Sequence, residues 1–203
     1  MVVTVFRKAA CFLTLGLLLA TAGVSGAQEL SLSTNFADYA QSGTLNLEAG
    51  YGLARHWSVS AGVKYNPYSF GSGGDTHFRR QRLYCAGARW WPWHIYSGWW
   101  LSARLQYQEF ATTDEKGNTL RQLPFSGRSG GPSTEGDRYG AGLLAGYSQM
   151  IGRHFNLDFG AGFWGGWSSY VTYTCPTCGR ISSSASGSFF LPADVIFALN
   201  YIF

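Results

Sequence analysis

Along most of the chain, apolar and polar positions alternate in short stretches, and the longest such stretch is the last. Phe189, Leu191, Ala193, Val195, Phe197, Leu199, Tyr201 and Phe203 form an apolar series at period two, with Pro192, Asp194 and Asn200 interrupting the other face. Strict alternation puts successive side chains on opposite faces of a strand, so Ser188 to Phe203 reads as one β-strand with a single greasy side. A strand of that length suits a barrel that crosses a membrane better than the last strand of a soluble sandwich.

The same period recurs upstream. Leu30, Leu32, Thr34 and Phe36 predict a first strand, and Leu45, Leu47, Ala49 and Tyr51 a second. Trp57 to Tyr65, Arg79 to Trp91, Trp99 to Gln108, Arg138 to Ser148 and Phe155 to Phe163 predict five more. With the last stretch these make about eight strands, the fewest that close a typical outer-membrane barrel. The links at 52–56, 92–96 and 150–154 are short, and those at 67–78, 111–136 and 169–187 are long. Short turns on one side and long loops on the other predict a periplasmic and an extracellular end. The connection from Ala37 to Gly43 has to lie on the long-loop side and is the weakest join. Gly50-Tyr51 with Arg55-His56-Trp57-Ser58-Val59 is echoed by Gly146-Tyr147 with Arg153-His154-Phe155-Asn156-Leu157, so one strand–turn–strand unit occurs twice.

Composition sharpens this picture. The chain has 46% hydrophobic and 13% charged residues, with 27 glycines and 17% aromatics, which is what barrel strands and interfacial girdles need. Met1 to Ala27 reads as a secretory signal: Arg7 and Lys8, then an apolar core from Ala9 to Ala22, then Ser25-Gly26-Ala27. No helical span is expected after it, because no run of about eighteen apolar residues follows. Removing Arg7 and Lys8 from 15 bases against 11 acids leaves 13 − 11 = +2, too little to argue for nucleic acid or anionic lipid as a partner. The expected organisation is therefore a signal peptide over 1–27 and a barrel over 28–203. The fold class is all-β, a single antiparallel up-and-down transmembrane barrel.

Several segments resemble a family of small outer-membrane barrels from Gram-negative anaerobes, the domain-of-unknown-function family numbered three thousand five hundred and seventy-five. They are Ser33-Thr34-Asn35, Gly43 to Tyr51, Arg55-His56-Trp57-Ser58, Gly62 to Pro67, Arg89-Trp90-Trp91, Tyr139-Gly140-Ala141-Gly142, Arg153 to Leu157 and Cys175-Pro176-Thr177-Cys178-Gly179. The terminal Phe203 is similar to the aromatic that outer-membrane barrels present to their insertion machinery. The resemblance implies a barrel and brings no activity. The long loop from Asp114 to Gly136 departs from what the family would fix.

The inward faces collect Glu48, Lys64, Arg89, Arg104, Asp158 and Asp194. Three acids and three bases inside a narrow barrel predict a paired network filling it, because an unpaired charge is costly to bury. A proton or solute pathway is the rival reading. Cys175 and Cys178, in an exported loop, predict a local disulfide rather than a metal or redox site, and Cys85 reads as a lone small hydrophobe. His56, His94 and His154 sit at short turns as interfacial anchors. His77, near Ser72 and Asp75, is the one place where a hydrolase trio is conceivable, and the spacing does not force those residues together.

Trp57, Trp90, Trp91, Trp93, Tyr96, Trp99 and Trp100 read as a periplasmic girdle. Tyr65, Tyr68, Phe70, Tyr107 and Phe110 belong to an outer set. Trp164, Trp167, Tyr170 and Tyr173 read first as part of that set and second as a surface platform. The expectation is a non-enzymatic barrel contacting outer-membrane lipid and, through its outer loops, a protein or glycan of unknown identity. It carries no cofactor or metal and binds no nucleic acid. A lipid-modifying or proteolytic enzyme and a narrow solute channel are the alternatives.

Overall fold

Ten strands and one short helix cover the residues described by a computed structural model, which are 30–40, 43–70, 77–113, 132–174, 179–192 and 195–203. The expected signal segment, Cys175, Cys178, Asp194, Ser72 and Asp75 lie outside them. In chain order the elements are β1 (Leu30–Asn35), α1 (Phe36–Ala40), β2 (Leu45–Ala54), β3 (Trp57–Asn66), β4 (Ser69–Phe70), β5 (His77–Trp90), β6 (Gly98–Thr112), β7 (Ser133–Met150), β8 (Phe155–Tyr173), β9 (Ile181–Pro192) and β10 (Ile196–Ile202). All pairings are antiparallel. β1, β2, β3, β5, β6, β7, β8 and β10 follow one another, and β10 returns to β1, so these strands close a ring. Closure satisfies the backbone of every ring strand without leaving an edge at that level. β4 adds a short pair to β5. β9 continues along β8 beyond β10 and pairs with β8 alone among the described residues.

The last stretch departs from the sequence reading. It is two strands, because Phe163 stands opposite Pro192 while Gly160 stands opposite Ile196. Three steps along β8 are thus matched by four on the other side. The additional step falls after Pro192, which has no N–H to give to a ladder. It exchanges the two faces of the chain: Phe190 is exposed and Leu191 buried before it, whereas Phe197 is exposed and Ile196 and Ala198 are buried after it. The outward apolar series therefore runs only from Val195 to Phe203, and Leu191 belongs to the interior.

Two loops are shorter than their composition predicts. β8 reaches Tyr173 and β9 starts at Ile181, so most of 169–187 is strand, and β7 already begins at Ser133. Small polar residues on both faces hide these strand ends from the hydrophobic pattern, while the backbone ladder continues. Thr134 and Thr172, opposite each other, are joined by their hydroxyls at 3.3 Å.

The link between β1 and β2 holds a helical turn instead of a bare connection. Asn35 ends β1 by lending its Oδ1 to the N–H groups of Ala37 (3.2 Å) and Phe197 (2.9 Å). Asn46 answers from β2, accepting from the Asn35 N–H at 2.6 Å and donating to its carbonyl at 2.8 Å. Side-chain amides thus replace ladder partners, and the chain turns into α1 with Asp38 buried.

The short-turn end is closed from inside. Trp91 and Trp100 are essentially inaccessible, and with Tyr96 they join Leu144, Ile202 and others in one apolar cluster. These three are not girdle residues. The β5–β6 loop folds under the barrel, and the Trp91 indole N–H donates to Ser58 Oγ at 2.9 Å. Tyr96 takes a left-handed backbone (φ 62°) that a tyrosine adopts only when its surroundings insist. Its carbonyl accepts hydrogen bonds from Ser148 Oγ, at 3.3 Å, and from Asn156 Nδ2.

Trp100 packs against the inward glycines Gly146 of β7 and Gly160 of β8. A Cβ on Gly146 would stand 2.3 Å from the Trp100 ring and 2.2 Å from the Phe159 carbonyl oxygen. Neither neighbour is a flexible chain end. Gly146→Ala should lower stability by about 1–3 kcal/mol, read as a shift in the urea midpoint of the refolded barrel. Gly152→Ala, with open space around its Cβ, is the matched control and should leave the midpoint in place.

Candidate functional site: the barrel interior and its outer rim

Inward positions of the ring strands carry the polar half of each alternation, and four charged groups meet there. Glu48 on β2 accepts on Oε1 from Arg89 Nη2 at 2.9 Å and from Arg104 Nη2 at 2.8 Å. Arg89, on β5, spans the lumen with its other nitrogen and donates to Asp158 Oδ2 on β8 at 2.8 Å. Asp158 is 1% exposed and also accepts from Ser148 Oγ at 2.6 Å. The Arg89 guanidinium lies over the Trp100 ring, 4.7 Å from its centre, so the network rests on the aromatic floor described above. Arginine suits this place because its planar fork addresses two carboxylates at once.

Lys64 stands apart from that cluster. It pairs with Asp38 of α1 at 2.9 Å, nearer the long-loop mouth. Asp38 was read as part of a plain connection, and no periodic signal marks it, because α1 breaks the alternation of β1. With Asp38 counted, the described interior pairs Glu48, Asp158 and Asp38 with Arg89, Arg104 and Lys64. Cavities between these groups are small, about 30 Å³ beside Cys85 and Arg104 and about 10 Å³ beside Ser60 and Arg89. Such volumes hold a water molecule or two and no solute.

The other candidates fall in different places. His56 and His154 are hydrogen-bonded through Nδ1 to the carbonyls of Trp91 (2.9 Å) and Ile202 (2.8 Å), so they tie short turns to neighbouring strands. Cys85 faces inward, with its Sγ 3.1 Å from where a Cβ on Gly62 would be. Trp164, Trp167, Tyr170 and Tyr173 do not form one platform. Trp164 is buried inside, edge-on to Phe189 with ring centres 4.6 Å apart, and Trp167 is exposed on the outer wall. Tyr170 and Tyr173, three residues apart on β8, also take opposite faces. No group of three His, Cys, Asp or Glu side chains among the described residues is placed to hold a metal ion.

The outer wall carries its own order. Tyr84, Tyr107, Tyr139 and Trp167 are consecutive partners across β5, β6, β7 and β8, forming an aromatic row. The next outward positions are Arg82, Glu109, Asp137 and Ser169, again direct partners. Arg82 Nη1 lies 3.8 Å from Glu109 Oε2, Arg80 Nη2 lies 3.7 Å from Glu135 Oε1, and the Tyr107 hydroxyl donates to Asp137 at 3.3 Å. Arg80, Arg82, Glu109, Glu135 and Asp137 help line an open depression of about 510 Å³. Toward the short turns, the outward residues of these strands are uncharged, among them Leu101, Leu105, Leu143, Phe159 and Phe163, all exposed. A second aromatic set follows at Trp57, Trp90, Trp99, Tyr147, Phe155 and Tyr201. Trp99 with Tyr147, and Phe155 with Tyr201, make edge-to-face pairs at 5.4 and 5.1 Å.

From Tyr139 to Tyr147 the wall measures about 27 Å along the strand, or roughly 20 Å along a barrel axis at ordinary tilt. The apolar band of outer-membrane barrels is about 25 Å tall, somewhat more than this.

The sequence profile of a family described as protein of unknown function (DUF3575) matches residues 12–203. A search of curated proteins finds no match.

Proposed function

We propose that this chain, which belongs to the DUF3575 family of proteins of unknown function, is an outer-membrane barrel that acts as a non-enzymatic scaffold, presenting its long-loop end to a partner outside the cell. The observation that carries the reading is the outer wall. An apolar belt is bounded by aromatic rows, and its first charges stand immediately beyond the Tyr84–Tyr107–Tyr139–Trp167 row. Water would leave that belt as an exposed apolar surface far larger than monomeric soluble proteins keep, whereas lipid covers it.

The short turns then face the periplasm, and the extension formed by the outer ends of β5 to β9 stands clear of the membrane. A role in contact fits a barrel whose interior is filled. Ion pairs occupy the middle and Trp91, Tyr96 and Trp100 close the periplasmic end, which supports a rigid support and argues against a solute channel.

Reconstitution tests this directly. The folded protein in planar bilayers should give no stepwise conductance above the lipid background. In vesicles, lipids brominated on their acyl chains should quench part of the tryptophan fluorescence. Regular conductance steps would replace the scaffold with a pore, and absence of quenching would take the belt out of the bilayer.

A further inference from the structure

We propose that the long-loop half of the lumen binds an oxyanion, a carboxylate or phosphate group, on the guanidinium of Arg138. The other interior bases, Lys64, Arg89 and Arg104, each face a carboxylate at 2.9 Å or less. Arg138 does not. It points inward from β7, is 5% exposed, and forms no ion pair with a described residue. Its Nε–H finds no acceptor among the described residues. What it touches is aromatic: its guanidinium carbon is 4.0 Å from the centre of the Phe110 ring and 5.9 Å from that of Phe189. Burial and the like charge of Arg79 both disfavour its cationic form, and the Tyr170 phenol acts the other way. A buried cation against ring faces, with no carboxylate paired to it among the described residues, is a charge that folds rarely keep without a counter-ion.

Two more buried polar groups in the same patch lack partners, Gln106 Nε2 and Ser168 Oγ. The strand register places them around Arg138. Ser168 is its direct partner across β8. Gln106 lies one inward row nearer the short turns, in a row that reads Gln106, Gly140, Gly166, Phe189. The two middle positions are glycines, so neither β7 nor β8 puts a side chain into that row.

The groups left over can all donate: a guanidinium N–H, an amide NH₂ and a hydroxyl. Such a set on a cationic wall suits an oxyanion better than a metal ion. The guanidinium fork matches the two oxygens of a carboxylate or phosphate. Phe110, Phe189 and Trp164 offer apolar walls to whatever carries that group. The inference goes beyond the scaffold reading and stands whether or not the belt lies in lipid.

The test uses the folded barrel in detergent micelles, titrated calorimetrically with inorganic phosphate, with benzoate, and with neutral benzamide. At least one anion should bind saturably at one site per chain, and benzamide should not. Phosphate alone would identify a phosphate-bearing ligand, and benzoate alone a carboxylate. Arg138→Gln should weaken binding about tenfold or more, as loss of a charged hydrogen-bond donor does. Ser168→Ala, which keeps the cation, should weaken it less and guards against a misfolded Arg138 variant. Arg138→Met should raise the urea midpoint of the ligand-free protein, because it removes an unpaired charge. The proposal fails if neither anion binds saturably, or if Arg138→Gln binds as the wild type does. A lower midpoint for Arg138→Met would also overturn it, making Arg138 an aromatic clamp.

Discussion

Arg89→Met should destabilise the folded barrel by roughly 3–5 kcal/mol, the largest loss expected from one side chain here. Among the described residues Arg89 alone is bonded to both carboxylates of the central network, at 2.9 Å to Glu48 and 2.8 Å to Asp158. Removing it leaves Glu48 with Arg104, an adequate pair, but leaves Asp158 with the Ser148 hydroxyl and no cation. At 1% exposure, water cannot compensate Asp158. Arg89→Met with Asp158→Leu should recover most of the loss, since replacing both ends of a buried pair by apolar groups is often close to neutral. The urea midpoint of the refolded barrel, measured for both single variants and the double, closes the cycle. Midpoints equal to wild type in both singles would mean that the network is not buried in the folded protein.

Period-two phase made much of this interior legible. Glu48, Arg89, Arg104 and Asp158 each interrupt an apolar alternation at a polar position, and all four arrive on the inside. Phase proved a better guide than residue type. Trp100 shares the phase of Ser102 and Arg104, so its phase pointed inward, and only the habit of aromatics near turns argued for a girdle. Trp91 ends the stretch read as a strand in the phase of Leu83 and Arg89, so its phase also pointed inward; β5 stops at Trp90, and the loop that follows folds under the barrel. Leu191 was misplaced for the opposite reason. Its phase was sound locally, and a one-residue change of register between Pro192 and Ile196 reversed the faces between it and Phe197. One added residue leaves composition unaltered, so nothing in the pattern announces it except the proline. Asp38 was invisible because the Asn35–Asn46 amide contacts that turn the chain into α1 are long-range. Arg138 was visible as an inward residue of its strand, but its lack of a counter-charge is a property of several strands together.

Leu143→Arg is the substitution that separates a lipid-facing wall from a wet one. Leu143 is 71% exposed at the middle of β7, flanked across the ladder by Ala103 and Phe163, with aromatic rows on either side. In a bilayer an arginine there should cost roughly 2–4 kcal/mol, because its guanidinium must reach the interface or drag water into the apolar layer. Gln149→Arg should cost about 1 kcal/mol or less, since that residue is exposed beyond the Trp99–Tyr147 pair, where a charge already sits at the interface. Ser148 would not serve as the comparison, because it points inward and donates to Asp158. Both variants should be unfolded from lipid vesicles rather than micelles, since the penalty belongs to the apolar layer. In water, Leu143→Arg would replace an exposed apolar side chain by a soluble one and cost little or nothing. A clear penalty at Leu143 with almost none at Gln149 is the pattern that a spanning belt requires. Equal costs at the two positions, or none at either, would place the wall in water and remove the membrane from the proposed function.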